Sequence, residues 1–221
     1  MLDFLTLYSM KNNHFIIDFE TFGQDATKCA VINCAYFAFD WNKFSSSNPY
    51  TFEELLDGIQ LLKLDVQSQV KELKYEIQPS SLDFWQSLGP EVRKQIKPTK
   101  QDISVVLFCD SIIQYIKQHN INFWWSRSNT FDPIILMRLF RDVNKEPEML
   151  QYLKYWKVRD IRTFIDAKFD FQLKSNNSFC PYTDVDKWNS IFKNHDSIHD
   201  VAADILRLQK IKRVEMREDN D

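Results

Sequence analysis

The chain has 221 residues, 44% hydrophobic and 27% charged, and its 28 basic and 31 acidic residues leave a net charge of −3. That length suits one domain, residues 1–221, with a tail fraying from about 217 to 221, and no apolar run approaches the roughly 18 residues a membrane span needs. The three glycines, Gly23, Gly58 and Gly89, are too scattered for a dinucleotide fingerprint or a P-loop, so phosphate recognition falls to side chains or bound cations.

Phe15 to Phe19 is a short apolar run that reads as a strand, with Asp18 inside it and Glu20 just after. Cys29 to Phe39 reads as a second strand, Asp40 to Tyr50 as a loop or hairpin turn, and Ile59 to Asp65 as a third strand. Helices are expected from a serine cap at Ser80–Ser81, over Pro90 to Ile96 and over Asp102 to Gln118, the last with a clear apolar face. Ile121 to Ser126 reads as a strand, Pro133 to Val143 as a helix and Val158 to Thr163 as a strand end leading into a helix. Phe171 to Lys187 is expected to be irregular, and Ser197 to Arg217 is the last helix. This order predicts an α/β or α+β domain around a mixed sheet. Cys29, Cys34, Cys109 and Cys180 lack the spacing of a zinc site and read as buried free thiols. With no signal peptide in view, a cytoplasmic setting is expected.

Three acidic segments carry the chemistry. In Asp18-Phe19-Glu20 the two carboxylates share one side of a strand, where they repel and resist burial unless a divalent cation joins them. Oxygen-only ligands favour Mg²⁺ or Mn²⁺; a solvated strand end is the plain alternative. Asn129-Thr130-Phe131-Asp132 follows a strand, and Asp132 taken alone reads as the cap of the next helix. In His195-Asp196-Ser197-Ile198-His199-Asp200, a cap at Asp196 or Ser197 lets His195 and Asp200 lean toward one site; a surface cap with two exposed histidines is the alternative.

Together and in this order, Asp-x-Glu, Asn-x-Phe-Asp and His-x4-Asp resemble the three motifs of DEDDh 3′→5′ exonucleases in the ribonuclease H-like superfamily. Asp18-Phe19-Glu20-Thr21-Phe22-Gly23 matches that family's D-x-E-T-x-G. The stretches SRSNTFDPIIL, RDIRT and HDSIHDVAADIL extend the likeness toward its bacteriophage members, from Phe15 to about Lys210. Ser197 departs from the alanine that many relatives carry, and Ser128 from the glycine that some carry.

The resemblance implies a ribonuclease H-like α/β fold, with a mixed five-stranded sheet flanked by helices. It implies metal-dependent 3′→5′ exonuclease action, on single-stranded DNA by preference, releasing nucleoside 5′-monophosphates. Asp18, Glu20, Asp132 and Asp200 would bind two divalent cations, Mg²⁺ or Mn²⁺. His195 would be the general base, since it rather than His199 has the family's spacing to Asp200. His14 and His119 carry no such signal. The partner is the 3′ end of DNA or of RNA, with no membrane; protein partners and a homo-oligomer stay open. Candidate substrate contacts are Phe19, Thr21, Phe22, Phe84, Trp85, Asn129 and Arg162. Phe19 reads equally as core, Phe84 and Trp85 as base-stacking rings or as core, and Arg162 as a phosphate contact or a partner of Asp160. Arg93, Lys94, Lys97 and Lys100 form a solvated face or a track for phosphates. Trimming of RNA ends is the rival activity, and a non-catalytic nucleic-acid-binding module the rival class.

Overall fold

The computed structural model describes residues 13–169 and 191–218. Its centre is a five-stranded sheet of β1 (Asn13–Thr21), β2 (Val31–Asp40), β3 (Gln60–Lys63), β4 (Phe123–Ser126) and β5 (Val158–Asp160), in the order β3-β2-β1-β4-β5. The first three strands pair antiparallel, whereas β4 joins β1, and β5 joins β4, in parallel. The parallel pairs need crossover connections, and helices supply them.

Nine α-helices are found among the described residues: α1 (Phe52–Gly58), α2 (Val66–Glu72), α3 (Pro79–Ser87), α4 (Pro90–Arg93), α5 (Val105–His119), α6 (Asp132–Asp142), α7 (Glu146–Tyr152), α8 (Ile161–Lys168) and α9 (Ser197–Glu218). Strand alternation in β1 sets the two layers. Phe15, Ile17 and Phe19 pack on one face with α5 and α6, through residues such as Phe108, Ile112, Leu136 and Leu139. Ile16 faces the other way, into a cluster with Leu55 of α1, Ile161 and Ile165 of α8, and Val201, Ala202 and Ile205 of α9. Asp18 and Glu20 continue the Ile16 side, so the fold aims them at α9.

The mixed five-stranded sheet expected from the resemblance is present. Some boundaries moved for identifiable reasons. The α3 helix starts at Pro79 after Gln78, with no side-chain cap, so the expected serine cap is replaced by a proline in the first turn. The segment after α4 tightens into a 3-10 turn, Lys94–Ile96. Ile121 and Asn122 lie before β4 rather than in it. A 3-10 turn, Trp41–Ser45, occupies part of the expected loop. Sequence reading passed over α1, α2 and α7, each of seven residues. Two carry side-chain caps: Thr51 accepts from the Glu54 N–H and Asp65 from those of Gln67 and Ser68. Cys29, Cys34 and Cys109 are free and buried; Cys180 and the Phe171 to Lys187 segment fall outside the described residues, apart from which the last expected helix is α9. No helix among the described residues is long and apolar enough to cross a membrane.

Gly23 is required by close approach rather than by backbone dihedral. A Cβ there would lie 2.8 Å from Cys29 Cβ and 3.1 Å from the Gln78 side chain. Gly23→Ala is therefore expected to cost about 1–3 kcal/mol as an overpacking substitution, read as a lower melting temperature.

Candidate active site

The site is built at the carboxyl ends of β1 and β4. Asp18 and Glu20 lie on β1, and Asp200 lies in the first turns of α9, which packs on the same face of the sheet. One carboxylate oxygen from each of the three lies within 4.8 Å of the others. Asp132 joins them from the first turn of α6. The β1–β4 pairing ends at Ile16 and Trp125, so the Phe19 N–H has no strand partner on that side. Asp132 Oδ1 takes it, at 3.1 Å. The expected cap role of Asp132 is thereby corrected: Phe131 precedes the helix without a side-chain cap, and Asp132 turns its carboxylate to β1.

Four carboxylates in so small a space are costly. Burial, and then the charges of Asp132, Glu20 and Asp200, push the Asp18 carboxyl well above its ordinary range. Burial and the neighbouring Asp200 raise Glu20 to about 8. Burial raises Asp132 and Asp200 to about 7, the former eased by the Phe19 hydrogen bond. Among the described residues, none of the four has an ion-pair partner. An all-oxygen donor set with surplus negative charge fits a hard divalent cation such as Mg²⁺ or Mn²⁺.

A pH dependence follows. Each raised pKa means that folding favours the protonated carboxyl, so this stabilisation is complete below about pH 4 and is lost as pH rises through about 7–8. In chelator the melting temperature is expected to fall from about pH 5 to pH 8, and added Mg²⁺ or Mn²⁺ is expected to reverse the loss at the alkaline end.

His195 lies just before α9, exposed, with a left-handed backbone φ of 61°. Its ring stands edge-on to Phe84, the centroids 4.9 Å apart. Partial desolvation lowers its pKa below 6.5, which leaves a neutral imidazole at neutral pH. His199 points elsewhere, buried against Phe52 and Phe192, its Nδ1 accepting from the Lys193 N–H at 3.4 Å. His14 is a core residue whose Nδ1 accepts from the Trp125 indole at 2.8 Å.

The secondary candidates divide. Trp85, expected as a possible stacking ring, is only 2% exposed, and its indole donates to Thr21 O at 2.9 Å. It braces the end of β1 and presents no face to a base. Phe84, beside it, is 40% exposed. The Phe19 and Phe22 rings are buried in the core, as the core reading of Phe19 expects, which leaves their backbone as the part that could meet a substrate. Thr21 Oγ1 donates to Gly23 O at 2.7 Å. Asn129 is exposed, its backbone N–H held by Asp160 Oδ2 at 2.8 Å. The other Asp160 oxygen caps α8 through the Thr163 N–H, and no Arg162–Asp160 ion pair forms among the described residues. Arg162 is exposed, as are Arg93, Lys94, Lys97 and Lys100.

Sequence reading missed two groups. Asn33, opposite Glu20 on β2, is buried, accepts from the Ser197 hydroxyl at 2.8 Å and donates to Gln95 at 3.0 Å. It ties the start of α9 to β2, beside the acidic strand, and it gives Ser197, the departure from alanine, a partner. Asp204, one helical turn beyond Asp200, is bracketed by Arg127 and Arg207. The signal for Asn33 was one amide inside the apolar run Ala30 to Phe39, and for Asp204 the i, i+4 spacing to Asp200.

Residues 13–202 match the family described as the 3′–5′ exoribonuclease Rv2179c-like domain. The chain belongs to that family. This member is also 36% identical over 215 residues to the exodeoxyribonuclease of Enterobacteria phage T4, an alignment covering 91% of this chain and 90% of the phage protein. That agrees with the likeness to bacteriophage members of the family read from the sequence. Among solved structures, it matches Escherichia coli exonuclease I bound to a dT13 oligonucleotide (TM-score 0.63, 16% identity) and the zinc-bound form of the exonuclease I–single-stranded DNA complex (TM-score 0.62, 15% identity). Those alignments cover 95% and 94% of this chain but only 43% and 42% of the exonuclease I chains, and at such identity they establish the ribonuclease H-like fold alone. The family member is a 3′→5′ exonuclease acting on nucleic acid.

Proposed function

We propose that the enzyme removes nucleotides from the 3′ end of single-stranded DNA, using two divalent cations held by Asp18, Glu20, Asp132 and Asp200. The observation that carries this reading is the convergence of the Asp18, Glu20 and Asp200 oxygens within 4.8 Å, with Asp132 beside them. Divalent cations bound there supply Lewis-acid stabilisation of the charge that builds on the scissile phosphate. His195 accepts the proton of the attacking water, which its lowered pKa permits at neutral pH. Phe84, exposed against His195, offers a ring to the terminal base, and the backbone from Phe19 to Phe22 flanks the terminal sugar. Asn129 and Arg162 lie on the β4–β5 side of the site, suited to phosphate contacts. Gln95 touches Asn33 from the Lys94–Ile96 turn, so Arg93, Lys94 and Lys97 flank the β2 side of the same acidic strand as a basic track.

The phage relative, matched over 90% of its length, bears a DNA-directed name, and this supports DNA over RNA. The family description favours the second reading, RNA trimming. The two are separated with 5′-labelled DNA, RNA, and DNA ending in a single 3′ ribonucleotide. DNA is expected to shorten at least about tenfold faster than RNA, with the chimera stalled at its first step by the 2′-OH. Faster shortening of RNA assigns the exoribonuclease activity instead.

A further inference from the structure

Away from the acidic site, the turn before β5 carries two aromatic rings in solvent. Tyr155 is 67% exposed and Trp156 58%, the two rings edge-to-face at 4.8 Å. The backbone beneath them is pinned. Trp124 donates its indole N–H to Lys154 O at 3.1 Å, the Lys157 N–H returns to Lys154 O at 3.0 Å, and Arg159 donates to Trp156 O at 3.0 Å. The Arg159 guanidinium itself rests over the Phe123 ring at 4.3 Å. Leu153, just before the turn, is fully buried. The rings are therefore held out by a firm scaffold rather than left on a loose loop.

Three cations lie close together here, Lys154, Lys157 and Arg159, between Glu148, which pairs with Lys117, and Asp160, which caps α8. Lys154 Nζ lies 5.8 Å from the Trp156 ring. Beside the turn, a cavity of about 240 Å³ is lined in part by Lys117, Tyr152 and Lys157. Exposed aromatic faces among lysines suit single-stranded nucleic acid, whose bases stack and whose phosphates pair with cations. A protein partner would need a large complementary patch, whereas a polyanion needs only this chemistry.

The position also suits a polymeric substrate. β5 is the edge strand and runs parallel to β4 and β1, so its carboxyl end lies on the same side of the sheet as the acidic groups. The aromatic turn enters β5 at its other end, and exposed Arg162 follows the strand on the near side. At a strand's rise of about 3.3 Å per residue, β5 climbs roughly 10 Å, a span of a few nucleotides.

We propose that Tyr155 and Trp156, with Lys154 and Lys157, form a stacking platform for the substrate strand upstream of its 3′ end, an inference that rests on the single-stranded substrate proposed above. It gives the enzyme a grip on long strands that short ones cannot reach. The test compares the wild-type protein with a Tyr155→Ala/Trp156→Ala variant on a thymidine 16-mer and 3-mer in Mg²⁺, with melting temperature as the folding control. Both substitutions are in solvent, so an unchanged melting temperature is expected. The variant is expected to raise KM for the 16-mer about tenfold or more and to leave 3-mer cleavage within about twofold. Lys154→Gln/Lys157→Gln is expected to flatten the salt dependence of the 16-mer KM. An unchanged 16-mer KM in the aromatic variant overturns the platform, as does an equal loss on both lengths. If that variant instead changes oligomeric state with KM unaltered, the surface belongs to a second copy of the chain. Failure of the wild-type protein to cleave either oligomer contradicts the single-strand reading itself, a result distinct from loss of the length effect.

Discussion

Asp18→Asn is expected to abolish cleavage and, in chelator, to raise the melting temperature. Asp18 is the most crowded of the four acids, since burial and the charges of Asp132, Glu20 and Asp200 all disfavour its ionised form. Asparagine keeps the volume and removes the charge. The metal-free fold thus loses a repulsive centre, and about 1 kcal/mol of relief corresponds to a rise of about 2–4 °C for a chain of this size. Under the proposed cation binding, the same change also removes a ligand from ions that would offset charge on the scissile phosphate. The expected loss in kcat is at least about 10³-fold, at or above the upper end of what removing one electrostatic stabiliser costs. Opposite signs on stability and activity distinguish a functional carboxylate from a structural one. Near-normal, metal-dependent turnover in Asp18→Asn removes the cation-binding assignment.

His195→Ala is expected to slow turnover by about 10²–10⁴-fold at saturating Mg²⁺ and to remove the limb of the pH–rate profile that titrates below pH 6.5. The residue holds a left-handed backbone, uncommon for non-glycine residues though less so for histidine, at the entry to the helix that carries Asp200. Such a conformation persists where surrounding structure enforces it, here the start of α9 and the Phe84 ring. His199→Ala serves as the comparison. Its ring packs against Phe52 and Phe192, so stability rather than the pH profile is expected to change. If His199→Ala shows the kinetic loss and His195→Ala does not, the base has been assigned to the wrong histidine.

What could be read from the sequence follows the range of the interaction involved. The strand with Asp18 and Glu20 and the apolar stripe of Asp102 to Gln118 were legible because strand and helix periodicities are local. The acidic residues stood out because carboxylates inside apolar runs conflict with burial. Convergence of Asp18, Glu20 and Asp200 was suggested only by family resemblance, since residues on β1 and α9 meet through strand order. Long-range pairs stayed hidden: Asp132 with the Phe19 N–H, Asn33 with Ser197, and Asp204 with Arg127. Their partners are 77 to 164 positions apart, and nothing in either local segment names the other. Trp85 and Phe84 show the same limit at closer range. They are neighbours on α3, and only tertiary packing turned one inward and left the other at the site. The short helices α1, α2 and α7 were missed because two turns give too little periodicity to read.

The most direct test follows a 5′-labelled single-stranded DNA oligomer with Mg²⁺ and with EDTA. A ladder shortening one nucleotide at a time from the 3′ end, and absent in EDTA, is the predicted result. Shortening that continues in EDTA, or fragments that retain an intact 3′ end, contradicts a metal-dependent 3′→5′ exonuclease built on these carboxylates.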